Sequence, residues 1–568
     1  MYSNKENVNI LTSLLVAHGV RHAVVCPGSR NSPIVHNLTE CPDIECHPVT
    51  DERSAGFYAL GMCQCTGLPV AVCVTSGTAL LNLLPAVAEA KYQHLPLVVI
   101  SADRPPQWID QLDGQTLQQP HALGSFVQKS VSLPEPHDDE TRWYCNRLVN
   151  EALLTSRWED VPVHINVPIS EPLFDFTVPS LPQERTIGRT GSFPNFEAIA
   201  VEVGERFLNA SRPMIVIGQT QEDAYPQNYA EDYQLVADYA VVLHEPLSDF
   251  GSPCHFDEVL NRAGKQPEYM PDFVLYLGDT IVSKRLKKFL RGCKDCYFVV
   301  ANENGNLSDT FMNLHHWVHC DTWTMLLTLA DLIREKQPQP TAFRQRWAQD
   351  LAHAKSHADN YHPAFSQMAA VKLFEQYFDN CQHPTPNTHH PTPITQHPII
   401  HYANSSAIRL ANIYARHYVY CNRGVNGIEG SLSTAAGFSL VADRPVFCVI
   451  GDLSFFYDGN ALWNKQLKGN LRILLLNNGG GGIFRQLPIG DGRSEALDYV
   501  MATHHTSAEG ICQSYGVEYL CARNEAEMED GIQRLLKEES ARPLLLEVFT
   551  DAATDAQVFQ DYYRSLSE

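Results

Sequence analysis

Short apolar runs rich in Val, Ile and Leu alternate with stretches of helical periodicity along the whole chain. This alternation predicts parallel β-sheets covered by helices on both faces. The runs fall into three groups, which predict strands at 22–28, 70–77, 95–103 and 163–168, at 214–220, 240–247, 273–279 and 297–303, and at 399–405, 418–424, 446–452, 472–478 and 543–549. We therefore expect an α/β protein with three doubly wound parallel-sheet domains.

Two segments of biased composition separate the groups. Residues 177–195 are rich in Pro, Thr and Gly, and residues 381–398 form a low-complexity sequence of Pro, Thr and His. Such compositions are typical of linkers because they bury too little apolar surface to form a core. We predict domains at 1–180, 195–345 and 399–568, with a helical connection and linker at 346–398. The histidines of the linker could bind a metal, but an exposed flexible insert is the favoured interpretation.

The charge and composition of the chain indicate which kinds of molecule it binds. The chain has 568 residues, 42 Lys and Arg against 65 Asp and Glu, and a formal charge of −23. That much negative charge disfavours general binding to nucleic acids or membrane surfaces, so small molecules are the expected partners. No apolar run approaches the roughly 20 residues that span a bilayer. The first twenty residues lack a basic head and a small-residue cleavage site, which predicts a surface helix and a cytoplasmic protein.

Polar residues follow two strands of the third group at the point where each strand ends. Gly451 and Asp452 end one predicted strand, and Asn477 and Asn478 end the next, followed by glycines at 479–482. Ligands of doubly wound sheets bind at the carboxyl ends of the strands, so both motifs should face one crevice. Oxygen ligands suit Mg²⁺, with Mn²⁺ as an alternative, and glycine lets a backbone carbonyl approach closely. Either motif alone is common, but the pair predicts a metal site.

This pair of motifs resembles the fingerprint of the thiamine-diphosphate-dependent enzymes. The resemblance implies that thiamine diphosphate is the cofactor and that Asp452, Asn478 and the carbonyl of Gly480 hold the metal that anchors its diphosphate. It also implies that the three domains are the pyrimidine-binding, central and diphosphate-binding domains of that fold. Further cofactor contacts are expected on the same grounds from Thr75, Gly77, Ser405, Ile428, Gly451, Leu453, Ser454, Gly481 and Ile483.

Glu52 is the candidate activating acid. The sequence HPVTDERSAGFYALG places it between a predicted strand and a helix of small residues. Taken alone, it is a carboxylate at a helix start, where the helix dipole favours it. The resemblance implies instead that Glu52 exchanges a proton with the aminopyrimidine ring of the cofactor. It also implies that the two halves of the site come from different subunits of a homodimer or homotetramer.

Ordered motifs along the whole chain resemble a narrower family. They are Cys26-Pro-Gly-Ser-Arg30, Thr50-Asp-Glu-Arg53, Thr75-Ser-Gly-Thr78, Ala102-Asp-Arg-Pro-Pro106, Asn404-Ser405 with Arg409, and the run Asn422–Gly437. In this order they are similar to the 2-succinyl-5-enolpyruvyl-6-hydroxy-3-cyclohexene-1-carboxylate synthases, thiamine-dependent transferases of menaquinone biosynthesis. The resemblance implies decarboxylation of 2-oxoglutarate and conjugate addition of the resulting succinyl-semialdehyde carbanion to isochorismate.

Both implied substrates are dicarboxylates, so a chain of negative overall charge needs a locally positive pocket. The candidate cations are Arg30, Arg104, Lys284, Arg409 and Arg423. Arginine binds carboxylates through paired hydrogen bonds, whereas a surface ion pair is the ordinary role of any single arginine. Lys284 follows a strand of the second group, so it would reach the site from the middle domain.

The same resemblance assigns the remaining contacts. Substrate-binding positions of the family match Ser29, Gln115, Ser405, Phe484 and Leu487, of which the first three would hydrogen-bond and the last two would form an apolar wall. Ile428 resembles the bulky residue that wedges the cofactor from below. The alternative for Ile428 is a residue of the hydrophobic core.

Two other functions are weighed against this one. Another thiamine-dependent enzyme, such as an acetohydroxyacid synthase or a 2-oxoacid decarboxylase, would share the metal motif but has no need for Arg409 and Arg423 together. A cofactor-binding regulator without activity is disfavoured because Glu52, Asp452 and Asn478 are all present.

Overall fold

Three parallel sheets organise the molecule. The computed structural model describes residues 1–189, 200–221, 229–248, 250, 254–303, 307–382, 399–482, 495–537 and 539–566. Within these ranges sixteen strands form three sheets, and every strand pair within them is parallel. The expected α/β fold with three parallel-sheet domains is confirmed.

The first sheet has the spatial order β2-β1-β3-β4-β6-β5. Its strands are β1 (His22–Val25), β2 (Glu45–Pro48), β3 (Val70–Val74), β4 (Leu97–Asp103), β5 (Lys129–Ser132) and β6 (Val163–Pro168). The helices are Glu6–Ala17, Ser32–Glu40, Glu52–Thr66, Thr78–Asn82, Leu84–Tyr92 and Asp139–Glu159, with 3₁₀ turns at Pro106–Trp108 and Gly124–Phe126. Because helices cover both faces, every residue of the central strands β3 and β4 is buried.

The middle sheet has the order β11-β10-β9-β7-β8. Its strands are β7 (Pro213–Ile217), β8 (Val241–His244), β9 (Phe273–Leu277), β10 (Tyr297–Asn302) and β11 (Leu314–His319). The helices are Glu205–Asn209, Tyr229–Tyr239, Phe256–Ala263, Lys284–Gly292, Thr322–Lys336 and Ala342–Asn360, with a π-turn at Ala200–Gly204 and a 3₁₀ turn at Pro267–Tyr269. Trp347, in the last of these helices, is fully buried in the core of this domain.

The third sheet has the order β12-β13-β14-β16-β15. Its strands are β12 (Ile399–Tyr402), β13 (Val446–Gly451), β14 (Leu471–Asn477), β15 (Glu518–Ala522) and β16 (Leu544–Phe549). The helices are Gln367–Gln382, Ser406–Tyr414, Ser431–Val441, Asp452–Tyr457, Glu495–Met501, Glu509–Tyr515, Glu525–Lys537 and Ala552–Ser565, with a 3₁₀ turn at Gly459–Leu462. The metal motifs therefore follow two neighbouring strands, β13 and β14.

The strand predicted at 418–424 is wrong. Only Tyr420 pairs there, in an isolated bridge with His401 of β12, so the segment does not form a strand of its own. The run is apolar because Val419, Tyr420 and Cys421 are buried in the core clusters around the third sheet, and it also contacts the middle domain. The backbone N–H of Val419 donates to the carbonyl of Pro246 at 2.9 Å, and the hydroxyl of Tyr418 donates to the carbonyl of Thr220, also at 2.9 Å.

A close helix crossing joins the first and third domains. Helix Glu52–Thr66 packs against helix Ser431–Val441 through glycines on both. A Cβ on Gly61 would lie 2.0 Å from the carbonyl oxygen of Thr434, and one on Gly437 would lie 2.2 Å from that of Tyr58. Only glycine permits this approach of two backbones. The helix that begins at Glu52 is thus held firmly against the metal-motif domain.

The described part of the predicted first linker is anchored to the first domain. The backbone N–H of Ile187 donates to the side chain of Asn150 at 2.9 Å, and Asn146 donates to Glu184 at 2.8 Å. The low-complexity insert falls almost wholly on 383–398, outside the described residues, and its role stays a prediction. None of the helices in the described ranges has the length and apolar character needed to cross a membrane.

Candidate functional site

The edge of the third sheet brings Asp452 and the glycine loop together. Asp452 is 4% exposed and begins helix Asp452–Tyr457 directly after β13. Its Oδ2 accepts backbone N–H groups from Gly479 and Gly480 at 2.9 Å each, and from Asn478 at 3.2 Å. The loop after β14 is therefore wrapped around one carboxylate, as the spacing of the two motifs predicts.

The ligand atoms at this edge fit a divalent cation. Asn478 Oδ1 is buried and has no hydrogen-bond partner among the described residues, while its Nδ2 donates to Asp555 Oδ2 at 2.9 Å. Burial raises the pKa of Asp452 despite the opposing backbone hydrogen bonds, so a nearby cation would stabilise the carboxylate. Gly480 has φ 151°, and a Cβ there would lie 2.9 Å from the carbonyl oxygen of Met501. A carboxylate, an unsatisfied amide oxygen and a glycine backbone are suitable magnesium ligands.

Several predicted site residues lie near Glu52 at the edge of the first sheet. Asp51 caps helix Glu52–Thr66 by accepting the N–H groups of Arg53 and Ser54, and Glu52 is its first residue. Asn82 donates to Glu52 Oε2 at 3.4 Å. Burial, and then the charge of the neighbouring Glu52, raise the pKa of Cys26. Glu52 therefore lies beside the loop that contains Ser29 and Arg30.

Loops beyond Glu52 close over the same edge. A Cβ on Gly28 would lie 2.3 Å from Thr75 Cβ, so the Ser29 loop passes directly over Thr75. A Cβ on Gly77 would lie 3.1 Å from Gln115 Cγ, which brings Gln115 to the end of β3. Gln115 has φ 59°, an uncommon conformation for a non-glycine residue and one often found at functional sites.

Arg30 and Arg104 are each paired within the chain. Arg30 is 5% exposed and forms an ion pair with Glu171 at 3.0 Å, and it donates to the carbonyl of Ile169. Arg104 pairs with Asp113 at 3.0 Å and donates to the carbonyl of Gly114. Their substrate roles stay predictions, since each would have to exchange a carboxylate of the chain for one of a substrate.

Lys284 and Arg409 line one cavity of about 230 Å³ between the middle and third domains. The other charged residues on its wall are Arg285, Asp257 and Glu258. Arg409 also borders a second, smaller cavity of about 30 Å³, whose wall includes Asn478, Gly482 and Asp555. Arg409 therefore stands between the predicted substrate cations and the predicted metal ligand.

The cations of this region lie close enough to repel one another. Burial, and then the charge of Arg423, lower the pKa of Arg409, and the same two causes lower the pKa of Lys287. Lys284 begins helix Lys284–Gly292, where the positive end of the helix dipole disfavours a cation. A bound anion would reduce this repulsion between the cations.

Three more predicted residues, Ser405, Arg423 and Ile428, lie in the third domain. Ser405 follows β12 with φ 76°, a strained conformation, and Arg423 donates to Asn404 Oδ1 at 3.0 Å. Ile428 is 41% exposed, so the alternative of a core isoleucine is wrong.

Four more predicted cofactor contacts lie at the ends of β13 and β14 beside Asp452: Gly451, Leu453, Ser454 and Gly481. Ile483, Phe484 and Leu487 lie outside the described residues.

Comparison with known proteins decides the family. Residues 6–124 match the family "Thiamine pyrophosphate enzyme, N-terminal TPP binding domain", and residues 403–548 match its C-terminal TPP binding domain. The chain is similar to 2-succinyl-5-enolpyruvyl-6-hydroxy-3-cyclohexene-1-carboxylate synthases from three organisms. Identity is 41% over 580 residues for Bacteroides thetaiotaomicron, covering 100% of both chains, and 40% over 582 residues for Phocaeicola vulgatus, covering 100% of this chain and 99% of the relative. It is 34% over 583 residues for Porphyromonas gingivalis, covering 100% and 98%.

The chain belongs to this synthase family. The two thiamine-pyrophosphate-binding domains contain the two sheet edges described above, since Glu52 falls within 6–124 and Asp452 and Asn478 fall within 403–548. A thiamine-diphosphate-dependent enzyme is therefore confirmed. The roles of the individual residues and the identity of the metal stay predictions.

Three residues near the synthase site were missed by sequence reasoning. Asp555 orients Asn478, and His504 Nε2 lies 3.4 Å from Asp452 Oδ2. Glu245, which follows β8, accepts the N–H groups of Val282 and Ser283 at 2.6 and 2.8 Å. Glu245 thereby fixes the loop that presents Lys284. Neither Asp555 nor Glu245 belongs to a recognisable motif, because each acts through segments distant in sequence.

We expect Glu245 to make the stability of the protein depend on pH. Burial raises its pKa from 4.5 to about 7, so the folded protein retains a proton that the unfolded chain releases. The stabilisation from this group is complete below pH 4.5 and is lost as the pH rises through about 7. In urea unfolding at several pH values, wild type should lose stability across this window more steeply than Glu245→Gln. Parallel pH profiles would contradict this, and exposed Glu539→Gln is the matched control.

Proposed function

We propose that the chain catalyses thiamine-diphosphate-dependent decarboxylation of 2-oxoglutarate and joins the remaining four-carbon unit to isochorismate by conjugate addition. The product would be 2-succinyl-5-enolpyruvyl-6-hydroxy-3-cyclohexene-1-carboxylate, an intermediate of menaquinone biosynthesis. The observation that carries this proposal is the position of Arg409, which borders both the cation-lined cavity with Lys284 and the smaller cavity with Asn478. Family membership supports the choice of reaction.

The metal-motif edge would hold the cofactor. Mg²⁺, or Mn²⁺ in its place, would be bound by Asp452, by Asn478 Oδ1, which has no partner among the described residues, and by the carbonyl of Gly480, and would in turn hold the diphosphate. When bound, thiamine diphosphate supplies the electron sink that allows a 2-oxo acid to lose carbon dioxide. Glu52 would hold and transfer the proton at the aminopyrimidine ring. Ile428 would support the cofactor from below through its exposed side chain.

The cation cluster would bind and orient the dicarboxylates. Arg409 and Lys284 face one cavity, and the Coulombic repulsion between Arg409 and Arg423 would be relieved by a carboxylate. Arg423 is held by Asn404 at 3.0 Å, so its guanidinium has a defined direction. Arg30 and Arg104, with Ser29, Gln115 and Ser405, would complete the contacts to the substrates. Such fixed contacts place the reacting groups together.

The direct test is a two-substrate assay. The protein with thiamine diphosphate and Mg²⁺ should release carbon dioxide from 2-oxoglutarate and, with isochorismate present, form an adduct of the expected mass. A simple 2-oxoacid decarboxylase would release carbon dioxide without forming the adduct. An acetohydroxyacid synthase would use pyruvate in place of 2-oxoglutarate, and a regulator would bind the cofactor without turnover.

We expect Arg409→Gln to raise the KM for 2-oxoglutarate. A lost charge-assisted hydrogen bond costs about 1.5–3 kcal/mol, which corresponds to roughly 10- to 100-fold in affinity. A monocarboxylate 2-oxo acid should be affected much less, because it lacks the second carboxylate. Steady-state kinetics with both acids measure the difference. The control is Arg416→Gln, which removes a surface ion pair with Asp359; equal changes in both variants would contradict the role.

We also propose self-association, as a homodimer or homotetramer with the sites at subunit contacts, in the cytoplasm. Large apolar side chains exposed between 425 and 463 support self-association: Val425, Ile428, Tyr457 and Trp463 are each 41–53% exposed. Light scattering on the purified protein gives the subunit number. A monomer at catalytic concentrations with full activity would contradict the proposal.

A further inference from the structure

We propose that His22, Glu45 and His47 form a zinc-type cation site on the first domain, separate from the cofactor site. β1 and β2 are parallel neighbours, with His22 paired to Glu45 and Val24 paired to His47. Because side chains two residues apart on a strand share a face, this register places all three side chains on one face of the sheet.

The ligand atoms have the spacing of a chelating group. His22 Nδ1 and His47 Nε2 are 3.2 Å apart, and Glu45 Oε2 lies 3.8 Å from His22 Nδ1. One ligand atom from each residue lies within 4.8 Å of the other two. Two nitrogens bound to tetrahedral Zn²⁺ at about 2.0–2.1 Å are roughly 3.3 Å apart. The two rings therefore already stand at the separation that zinc requires.

The protonation state of His47 suits a metal ligand. The ring is 2% exposed, and burial lowers the pKa of His47 to about 4, so it is neutral at pH 7. Gln466 of the third domain lies near His47, and its Oε1 is buried without a hydrogen-bond partner among the described residues. If this amide oxygen accepted Nδ1–H, the Nε2 lone pair of His47 would be left for the cation.

The types of ligand in this group indicate which cation would bind. Two imidazoles and one carboxylate suit zinc, whereas Mg²⁺ and Ca²⁺ prefer oxygen ligands. Three protein ligands leave a fourth position for water, and Glu45 lies on the solvent side, exposed by 65%. A bound ion would tie the edge strand β2 to β1. Since β2 ends at Pro48, it would also stiffen the approach to Glu52.

Zinc binding is the test, and it must exclude zinc bound at the predicted cofactor metal site or by the low-complexity insert. The experiment uses the full chain without a histidine tag, loaded with thiamine diphosphate and excess Mg²⁺. The parent protein carries Asn in place of the histidines of the low-complexity insert, His383, His389, His390 and His397. After dialysis against Zn²⁺, metal content is measured by mass spectrometry.

We expect the parent to retain one more zinc per chain than His22→Asn, and the Glu45→Gln variant to bind it at least about 10-fold more weakly. The control His137→Asn, which removes an exposed histidine of the same domain, should retain the parent content. Zinc should raise the thermal midpoint of the parent and not that of His22→Asn. Equal zinc content in the parent and His22→Asn would overturn the proposal and leave His22 and His47 as a hydrogen-bonded pair only.

Discussion

Glu52→Gln should reduce turnover by at least roughly 10³-fold while the protein stays folded, because glutamine is similar in shape but cannot hold and release a proton. The helix start does not depend on Glu52. Asp51 supplies the cap by accepting the N–H groups of Arg53 and Ser54 at 2.9 and 3.3 Å. The loss should therefore appear in kcat and not in the unfolding curve.

The neighbouring Asp51 offers a matched control for this experiment. Asp51→Ala removes the cap and should lower the free energy of unfolding by about 0.5–2 kcal/mol. Its effect on kcat should be far smaller than that of Glu52→Gln. If Glu52 were only a helix-start carboxylate, its replacement would cost about 0.3–1 kcal/mol of stability and leave turnover intact. Near-normal activity of Glu52→Gln would therefore exclude the assigned role.

Central strands could be predicted from the sequence, whereas several edge strands could not. β3, β4 and β14 are buried along their whole length, so they are continuous apolar runs. β2, β5, β11 and β15 lie at sheet edges, and most of their residues are partly or fully exposed. Polar residues are tolerated there, and the apolar signal disappears. The apolar run at 418–424 gives a false strand prediction for a different reason, since its residues are buried in the core around the third sheet although only Tyr420 pairs with β12.

Some residues of the candidate site could also be predicted from the sequence, and others could not. Asp452 and Asn478 could be predicted to meet because each follows a strand and the strands are neighbours. Asp555 and Glu245 could not, because their partners lie far along the chain: Asp555 contacts Asn478 across 77 residues, and Glu245 accepts from Asn412 across 167. A motif identifies the residues that contact a ligand. The side chains that orient those residues come from the folded packing.

Asp452→Asn should abolish binding of thiamine diphosphate at ordinary Mg²⁺ concentrations. The asparagine oxygen can still accept the N–H groups of Gly479 and Gly480, so the loop should keep its shape while the site loses a charged metal ligand. We expect at least about a 100-fold loss in cofactor affinity, measured by calorimetry at fixed Mg²⁺. Unchanged affinity would show that Asp452 only anchors the loop.

Asp555→Ala separates ligation from orientation at the same site. Its carboxylate accepts Asn478 Nδ2 at 2.9 Å and the hydroxyl of Thr550 at 2.8 Å, and so fixes the orientation of the Asn478 amide. Without it, the Mg²⁺ requirement should rise about 10- to 100-fold, and saturating Mg²⁺ should restore kcat. Asp551→Asn, at the cap of helix Ala552–Ser565, should leave the Mg²⁺ requirement unchanged. Because only a positioning residue is rescued by excess metal, recovery of Asp555→Ala but not of Asp452→Asn would assign ligation to Asp452 and orientation to Asp555.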